Sequence, residues 1–493
     1  MEANYTQNNT PRFEIFTRQQ IQKIHYATLE ILERTGVKIE SQAALELLDG
    51  AGADISDPNR VKMPSHLVEQ AVRSAPKNVI LYTRDGDPYV RLNGNRTYFG
   101  ATPDMREILD PKTRTSRNIM IKDIAAISRL IDASPNMSWI YTTGWGGYHE
   151  GIPGSLADRM AFSIAMRNTP KPVGACIQSV SNLKDMIDCA AIVVGGHKQL
   201  KRKPYFWAAV EPISPLVQCK DAVEKTMLCA EYGVPCVGYS MLMGGASAPA
   251  SFAAILALAN AETLSLLVIH QLKNAGSPYI YGAIPNTMDM KTSIFTYGAP
   301  EMSLLVAALT EMSHYYELPM WGTAGCTDAK GVGLQAGLEV MQQCMMTALS
   351  GANFIHDVGL IANGMQVSPE LITLTDEVID MVKIVMNGIE VTDESLTLDL
   401  IEKIGPGGNF LGDPHTFKNF RKFWQPTILD RTQVKQGAKT EDIVNCEDML
   451  RQKTIDIMEN HEPIPIAEDV MKEVRSFEKS WFEKLDIKYE YEE

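Results

Sequence analysis

The spacing of apolar positions changes once along this chain, and the change divides it. Over residues 18–34, Ile21, Ile24, Leu29 and Leu32 recur at helical spacing and share one face of a helix that Gly36 stops. Residues 41–48 and 64–74 repeat that pattern, and the short runs at 37–39, 79–82 and 97–99 read as strands between and after them. From about Asn118 the rhythm becomes apolar runs of five to seven residues, each followed by a Gly/Pro/Ser loop and then a helical stretch. Eight strand ends are expected, near Thr143, Gln178, Glu211, Ser240, Ile284, Ala324, His356 and Leu411, with helices such as 155–167, 183–194, 220–232, 251–273, 299–316 and 334–350 between them.

Strand and helix alternating at this spacing predict a parallel sheet closed by helices. No Gly-rich dinucleotide turn follows the first strand, which disfavours an open doubly wound sheet. The expected fold is therefore α/β: a TIM (β/α)8 barrel over 118–430, a small N-terminal α+β layer over 1–117, and a C-terminal helical extension over 431–493 that ends in an acidic tail. The polar opening, 1–11, is expected to be loose. Residues 249–270 are apolar enough to resemble a membrane span, but Asn260 and Glu262 interrupt them and basic flanks are missing, so a buried barrel helix is expected.

Charge and cysteine content narrow the function classes. A net charge of −14 without a basic face interleaved with aromatics argues against nucleic acid, and the run 198–203 reads as a solvated loop. Eight cysteines without a CxxC pair fit free thiols in a reducing compartment, and no cationic and apolar leader follows Met1, so a cytoplasmic protein is expected. Nine histidines show neither HExxH nor HxxxH spacing, and no metal site is predicted.

A barrel keeps its chemistry at the C-terminal ends of its strands. Residues 322–359 spell out one such unit: a strand, a Gly/Asp/Lys loop carrying Asp328 and Lys330, a helix, a Gly turn and a strand ending in His356 and Asp357. The other strand ends offer Trp145 and His149, then Gln178, Glu211, Tyr239, and Tyr281 with Asn286. The segment 405–417 offers Asp413 and His415, while Tyr98, Phe99, Asp104 and Arg106 precede the barrel. Aromatic faces beside a carboxylate are what a quaternary ammonium group requires, each ring contributing about 0.5–2 kcal/mol by cation–π attraction. Tyr98, Phe99, Trp145 and Tyr281 are the candidate rings, and core packing is the competing role for each. No GxSxG elbow occurs, and the separation of Glu211 from Asp328 that a glycosidase mechanism needs is not given by sequence.

The runs ATLEILERTGVKIESQAALELLDGAGA (27–53), GTAGCTDAKGVGLQAGLE (322–339), LSGANFIHDVG (349–359) and GPGGNFLGDPHTF (405–417) make the chain resemble the trimethylamine methyltransferase family nearly end to end. That resemblance implies a TIM barrel that moves a methyl group from a methylamine to the cobalt of a separate corrinoid protein. The founding members use a pyrrolysine in the barrel. Only standard residues occur here, so the chain resembles the non-pyrrolysine branch, which demethylates quaternary amines such as glycine betaine, proline betaine or carnitine. The resemblance thus implies a betaine substrate and a corrinoid carried by a partner protein; no metal bound by this chain and a homo-oligomer are expected beside it. Tyr98, Phe99, Arg106, Trp145, Glu211, Tyr281, Asp328, His356 and Asp357 are the expected substrate-binding residues, with Arg106, His356 or a backbone amide holding a betaine carboxylate. Asp413 and His415 are expected to face the corrinoid. Two other readings stay open: a barrel that binds a betaine without turnover, and a metal-dependent lyase or hydrolase built on Glu211, Asp328 and His356.

Overall fold

In the computed structural model, which describes residues 10–433, Gly437 and 445–487, eight parallel strands close into a barrel. They are β1 (Tyr98–Ala101), β2 (Met137–Thr142), β3 (Val173–Cys176), β4 (Phe206–Val210), β5 (Cys236–Gly244), β6 (Tyr279–Asp289), β7 (Met320–Thr323) and β8 (Phe354–Val358). β8 pairs with both β7 and β1, while β5 and β6 run side by side from Cys236↔Tyr279 to Gly244↔Thr287. Each strand is followed by its own helix: α1 (Ile121–Ala133), α2 (Gly154–Arg167), α3 (Val180–Val194), α4 (Lys220–Tyr232), α5 (Phe252–Lys273), α6 (Pro300–Tyr315), α7 (Leu334–Ser350) and α8 (Pro369–Met386). Strands buried on both faces need apolar residues throughout, which is why they stood out as uninterrupted runs.

Seven of the eight expected strands lie where the sequence placed them, and the eighth does not. Near Leu411 the chain forms only turns and the short exposed helix Pro414–Asn419, with Asp413 as its N-cap. The Asp-Pro pair there is a helix start, and among the described residues no partner strand lies beside it. The barrel is completed instead by Tyr98–Ala101, four buried residues that the sequence assigned to the N-terminal layer. The barrel therefore begins at Tyr98, twenty residues ahead of the expected boundary, and residues 405–417 stand outside it. The opening 1–9 and the end of the acidic tail, 488–493, lie outside the described residues.

Helix α5 is apolar around its whole circumference because both sides are covered: strands pack inside it and the N-terminal helix Arg18–Glu30 packs outside. The polar groups that interrupt it are satisfied. Asn260 donates to Thr28 Oγ1 (2.9 Å) and Tyr316 Oη (2.8 Å), and Glu262 accepts from Leu216 N (2.8 Å) and Ser214 Oγ (2.7 Å). At the N-terminal end of the barrel the hairpin of Val79–Tyr82 and Pro88–Leu92 inserts Val79, Leu81, Val90 and Leu92 beneath the lumen residues and closes the floor. Two C-terminal helices, Cys446–Asn460 and Glu468–Glu483, strap the outside, the first against α1 and α8 and the second against α3.

Candidate active site at the barrel mouth

Alternation along each strand sends every second side chain into the lumen. The residues so placed are unusually large: Trp139 and Tyr141 from β2, Trp207 from β4, Tyr239 from β5, Trp321 from β7 and Phe354 from β8. Trp139 and Trp207 meet edge to face with centroids 5.2 Å apart, Trp139 and Phe354 lie 4.3 Å apart, and Tyr141 stacks on Trp207 at 5.4 Å. Glycines on neighbouring strands make the room. A Cβ on Gly100 would overlap the Trp139 ring, one on Gly174 the Trp207 ring, and one on Gly282 the Trp321 side chain.

Above this aromatic floor the lining turns polar. His356 stacks on Trp321 (4.1 Å, 14°), and its Nε2 is 2.9 Å from Thr323 Oγ1. Its Nδ1 lies 2.7 Å from Asp357 Oδ1, a close contact without hydrogen-bond alignment. Adjacent residues of a regular strand point to opposite faces. Here the register of β8 against β1 shifts between Ile355 and Val358, and Asp357 takes φ +74°, a left-handed conformation that a non-glycine residue adopts only under local constraint. The bulge turns Asp357 back toward its neighbour. Asp357 is buried, and its Oδ2 has no hydrogen-bond partner among the described residues.

Glu211, one residue past β4, accepts a hydrogen bond from Tyr239 Oη at 3.2 Å. Burial pushes its carboxyl from an ordinary value near 4.5 up to about 7; the Tyr239 bond opposes that shift and the charge of Asp357 adds to it. Tyr141, Tyr239 and Tyr297 are driven upward by burial and stay phenols at neutral pH. A cleft of about 390 Å³ opens from Glu211 between Ile213, Met241, Met243 and Phe295, a size suited to a small ligand. Its outer wall is the hairpin that follows β6, where Met288 pairs with Phe295 and Asn286 is bonded to the Thr296 carbonyl.

The structure divides the expected site residues. Glu211, His356 and Asp357 meet at the mouth with Tyr239. Trp145 sits on the rim, 38% exposed and stacked against His149 at 6.0 Å, in a short helix whose start is held by the buried Asp104: its carboxylate accepts from Thr143 N (3.1 Å), Gly146 N (3.2 Å) and Gly144 N. Gln178 is also at the rim, exposed, with its backbone N–H donating to Asp158. Tyr98 lies low in the lumen against the floor hairpin, and Phe99 and Tyr281 face outward, Tyr281 donating to Asn260 Oδ1 at 2.9 Å. Strand parity decides this, since Phe99 and Tyr281 occupy the positions between lumen residues. Arg106 is exposed, with His149 Nε2 2.8 Å from its carbonyl oxygen. Asp328 is spent on folding: it accepts from Tyr297 N (2.8 Å), Gly298 N (2.9 Å) and Asn363 Nδ2 (2.7 Å), clamping two loops together. Asp413 accepts from His415 N (2.9 Å) and Lys403 Nζ (3.0 Å) in an exposed segment that does not join the mouth cluster. Among the described residues no group of three His, Cys, Asp or Glu side chains is arranged to hold a metal.

Sequence reasoning passed over Tyr141, Trp207, Tyr297 and Trp321. The signal for two of them was present: Trp207, Ala209 and Glu211 form one i, i+2 series, and Trp321 and Thr323 begin another.

Comparison with known proteins agrees with this fold. The family model described as trimethylamine methyltransferase (MTTB) matches residues 1–481. The chain is 33% identical over 466 residues to the trimethylamine methyltransferase MttB of Desulfitobacterium hafniense (strain DSM 10664 / DCB-2), covering 94% of this chain and 92% of the relative. It is 30% identical over 473 residues to the glycine betaine methyltransferase of Desulfitobacterium hafniense (strain Y51), covering 95% and 97%. The crystal structure of the Methanosarcina barkeri monomethylamine methyltransferase (MtmB) superposes with a TM-score of 0.51 at 12% identity over 97% of this chain and 90% of that one, a likeness of fold. With a matched family model over almost its whole length and a closed eight-stranded barrel, the chain belongs to the trimethylamine methyltransferase (MTTB) family and is a methyltransferase.

Proposed function

We propose that this protein demethylates a quaternary amine, glycine betaine or a related betaine, and that the methyl group passes to a corrinoid carried by a partner protein at the barrel mouth. The observation that carries the reading is the pairing of two buried carboxyl groups with aromatic faces: Glu211, held near 7, and Asp357, with an unpartnered oxygen, stand beside Tyr239 and the His356–Trp321 stack. A buried carboxylate oxygen without a donor is costly unless a cation meets it. A quaternary ammonium supplies that charge without needing a donor's hydrogen, and ring faces hold it by cation–π attraction.

The chemistry asks little more of these residues. A quaternary nitrogen loses a methyl group as a neutral amine, so no proton has to be delivered to the leaving group. The nitrogen's charge vanishes in the process, so tight binding of the cation alone would stabilise the ground state more than the transition state. The chain's contribution is to orient one methyl group outward and to exclude water, with the aromatic floor as a fixed backstop. A reduced corrinoid on the partner would supply the nucleophile. The exposed apolar side chains of Trp145, Ile213, Met290, Leu334 and Met365, on loops and helix starts that follow barrel strands, suit a docked protein.

The test is a panel of glycine betaine, proline betaine, carnitine and trimethylamine incubated with the purified chain and reduced cobalamin, with the demethylated amine measured. Turnover of one betaine is expected. Turnover of trimethylamine alone would reject the substrate class, and binding of a betaine without demethylation would reject turnover.

A further inference from the structure

Residues 387–427, between α8 and the buried Ile428, contain no buried side chain, although the segment is rich in large apolar residues. Ile389, Val391, Leu398, Ile401, Leu411 and Phe417 are each more than half exposed. The segment has structure of its own, with helices at Asp393–Leu396, Leu398–Ile404 and Pro414–Asn419. Hydrogen bonds such as Lys403 Nζ to Asp413 (3.0 Å) and Thr416 Oγ1 to the Phe410 carbonyl (2.7 Å) stay within it, while near its C-terminal root the Trp424 carbonyl accepts from Arg431 (3.1 Å) and Thr427 Oγ1 accepts from Lys453 Nζ (2.7 Å). Both roots are tied to α8: Asn387 N donates to the Lys383 carbonyl (2.9 Å) and Gly388 N to the Val385 carbonyl (3.1 Å), and the Glu377 carboxylate accepts from Thr427 N (2.9 Å) and Ile428 N (3.1 Å). The segment is an anchored, folded arm with an unused apolar face. Solvent exposure of that much apolar surface marks an interface.

The same chain carries a groove to match. Between the N-terminal helix Arg18–Glu30 and the start of α5, a trough of about 960 Å³ runs over Ala27, Ile31, Ala253, Ala254, Ala257 and Leu258. Its edge bears Lys23, Arg34 and Arg60 against one acid, Glu30, which pairs with Arg34 and leaves Lys23 and Arg60 as the uncompensated cations of the trough. The first half of the arm, 387–404, bears Glu390, Asp393, Glu394, Asp399 and Glu402 against one base, Lys403, which is already bonded to Asp413. Leu398 and Ile401, one helical turn apart, form the kind of short apolar ridge that a helix-sized groove accepts. The arm springs from α8 and the groove lies at α5, three helices away around the barrel, and the arm does not fold back along its own body.

We propose that the arm 387–427 docks, through its acidic helix Leu398–Ile404, into the α5 groove of a second copy of this chain, so that arms exchanged between copies build a closed homo-oligomer. The contact joins two different patches, so closure comes from reciprocal exchange or from a ring.

The test is sedimentation of the full-length chain together with two variants at exposed positions. The unaltered chain is expected to be oligomeric at micromolar concentration. The arm variant Leu398→Asp/Ile401→Asp and the groove variant Ala253→Glu should each weaken association at least a hundredfold while keeping the circular dichroism and melting temperature of the parent. Mixing the two variants should restore mixed oligomers, because the intact arm of one still meets the intact groove of the other. A monomeric parent, an oligomer that survives the arm variant, or dissociation by the arm variant but not the groove variant would each overturn the proposal. So would a disulfide between Ile401→Cys and Ala253→Cys that forms only within single chains.

Discussion

Tyr239 on β5 donates its phenolic hydrogen to Glu211 Oε2 across the barrel mouth at 3.2 Å, and this bond sets how readily Glu211 carries charge. Burial alone would keep the carboxyl neutral, the hydrogen bond pulls it back toward ionisation, and the balance lies at about 7. A cationic substrate arriving beside Glu211 favours the ionised form. By linkage, the affinity of the unaltered protein for a betaine should rise with pH through about 7 and level off above it, losing up to about tenfold for each pH unit below. Calorimetry from pH 5.5 to 8.5 checks this, and binding that is flat across the range would remove Glu211 from the site. Glu211→Gln should bind more weakly at pH 8, by about tenfold or more, with no inflection near 7.

Stability of the unliganded protein should move the opposite way. The folded-state value lies above the unfolded one, so the folded state holds the Glu211 proton over a window, from about 4.5 to about 7, in which the unfolded chain has released it. Stability contributed by that proton is fully present below the window and is lost as pH rises through it. Glu211→Gln should therefore melt at an increasingly higher temperature than its parent between pH 5 and 7.5. A melting difference constant with pH would contradict the buried, neutral carboxyl.

Tyr239→Phe isolates the hydrogen bond from the ring. Loss of the hydroxyl removes an interaction that lowers the Glu211 value, so the binding inflection should move to higher pH while the aromatic face remains. Affinity at pH 8.5 should change less than affinity at pH 7. An unchanged inflection would show that the hydroxyl does not govern Glu211.

The lumen tryptophans make a prediction about packing. Gly100 faces the Trp139 ring so closely that any Cβ overlaps it, and Trp139 in turn touches Trp321 and Phe354. Gly100→Ala should destabilise the protein by about 1–3 kcal/mol through overpacking, and Gly174→Ala beneath Trp207 should do likewise. Thermal or urea unfolding measures it. Gly337→Ala, in a helix where the added Cβ meets nothing, is the control expected to be neutral or slightly stabilising.

Much of the barrel was legible because its strands are buried on both faces and its helices carry clear starts and stops; α4 and α7 match the expected ranges end to end. Tyr98–Ala101 was read as a strand fragment but not as part of the barrel, since four residues carry too little period to reveal a partner sheet. The segment 405–417 imitated a strand end because its Gly, Phe and Leu residues fit a buried loop, whereas in the structure they are exposed. The site divided along the same lines. The position of Glu211, His356 and Asp357 at the mouth was legible because charge at a strand end is visible in sequence. The inward tryptophans were missed because a large ring on a strand looks the same facing the lumen or the helices, and Tyr281 was misplaced for that reason. The inward turn of Asp357 depends on a bulge, which no periodicity announces.

That bulge separates the roles of two adjacent residues. His356 is almost wholly buried, stacked on Trp321 and bound to Thr323, so His356→Ala opens a hole in the polar layer above the aromatic floor. It should cost about 2–4 kcal/mol in stability and also loosen Trp321 beneath the substrate. Asp357→Asn is nearly isosteric, and asparagine tolerates φ +74° better than most residues, so the fold should survive with a small change in melting temperature. What it removes is charge. A carboxylate oxygen that has no donor of its own is free to face an ammonium group, and its loss should weaken betaine binding about tenfold to a hundredfold, the range of a charge-assisted contact worth 1.5–3 kcal/mol. Measuring unfolding and binding for both variants checks the division: His356→Ala should show the larger stability loss and Asp357→Asn the larger affinity loss relative to its stability change. If Asp357→Asn binds betaine as tightly as the parent, the bulge serves only to hold His356, and the cation belongs to Glu211 and the rings alone.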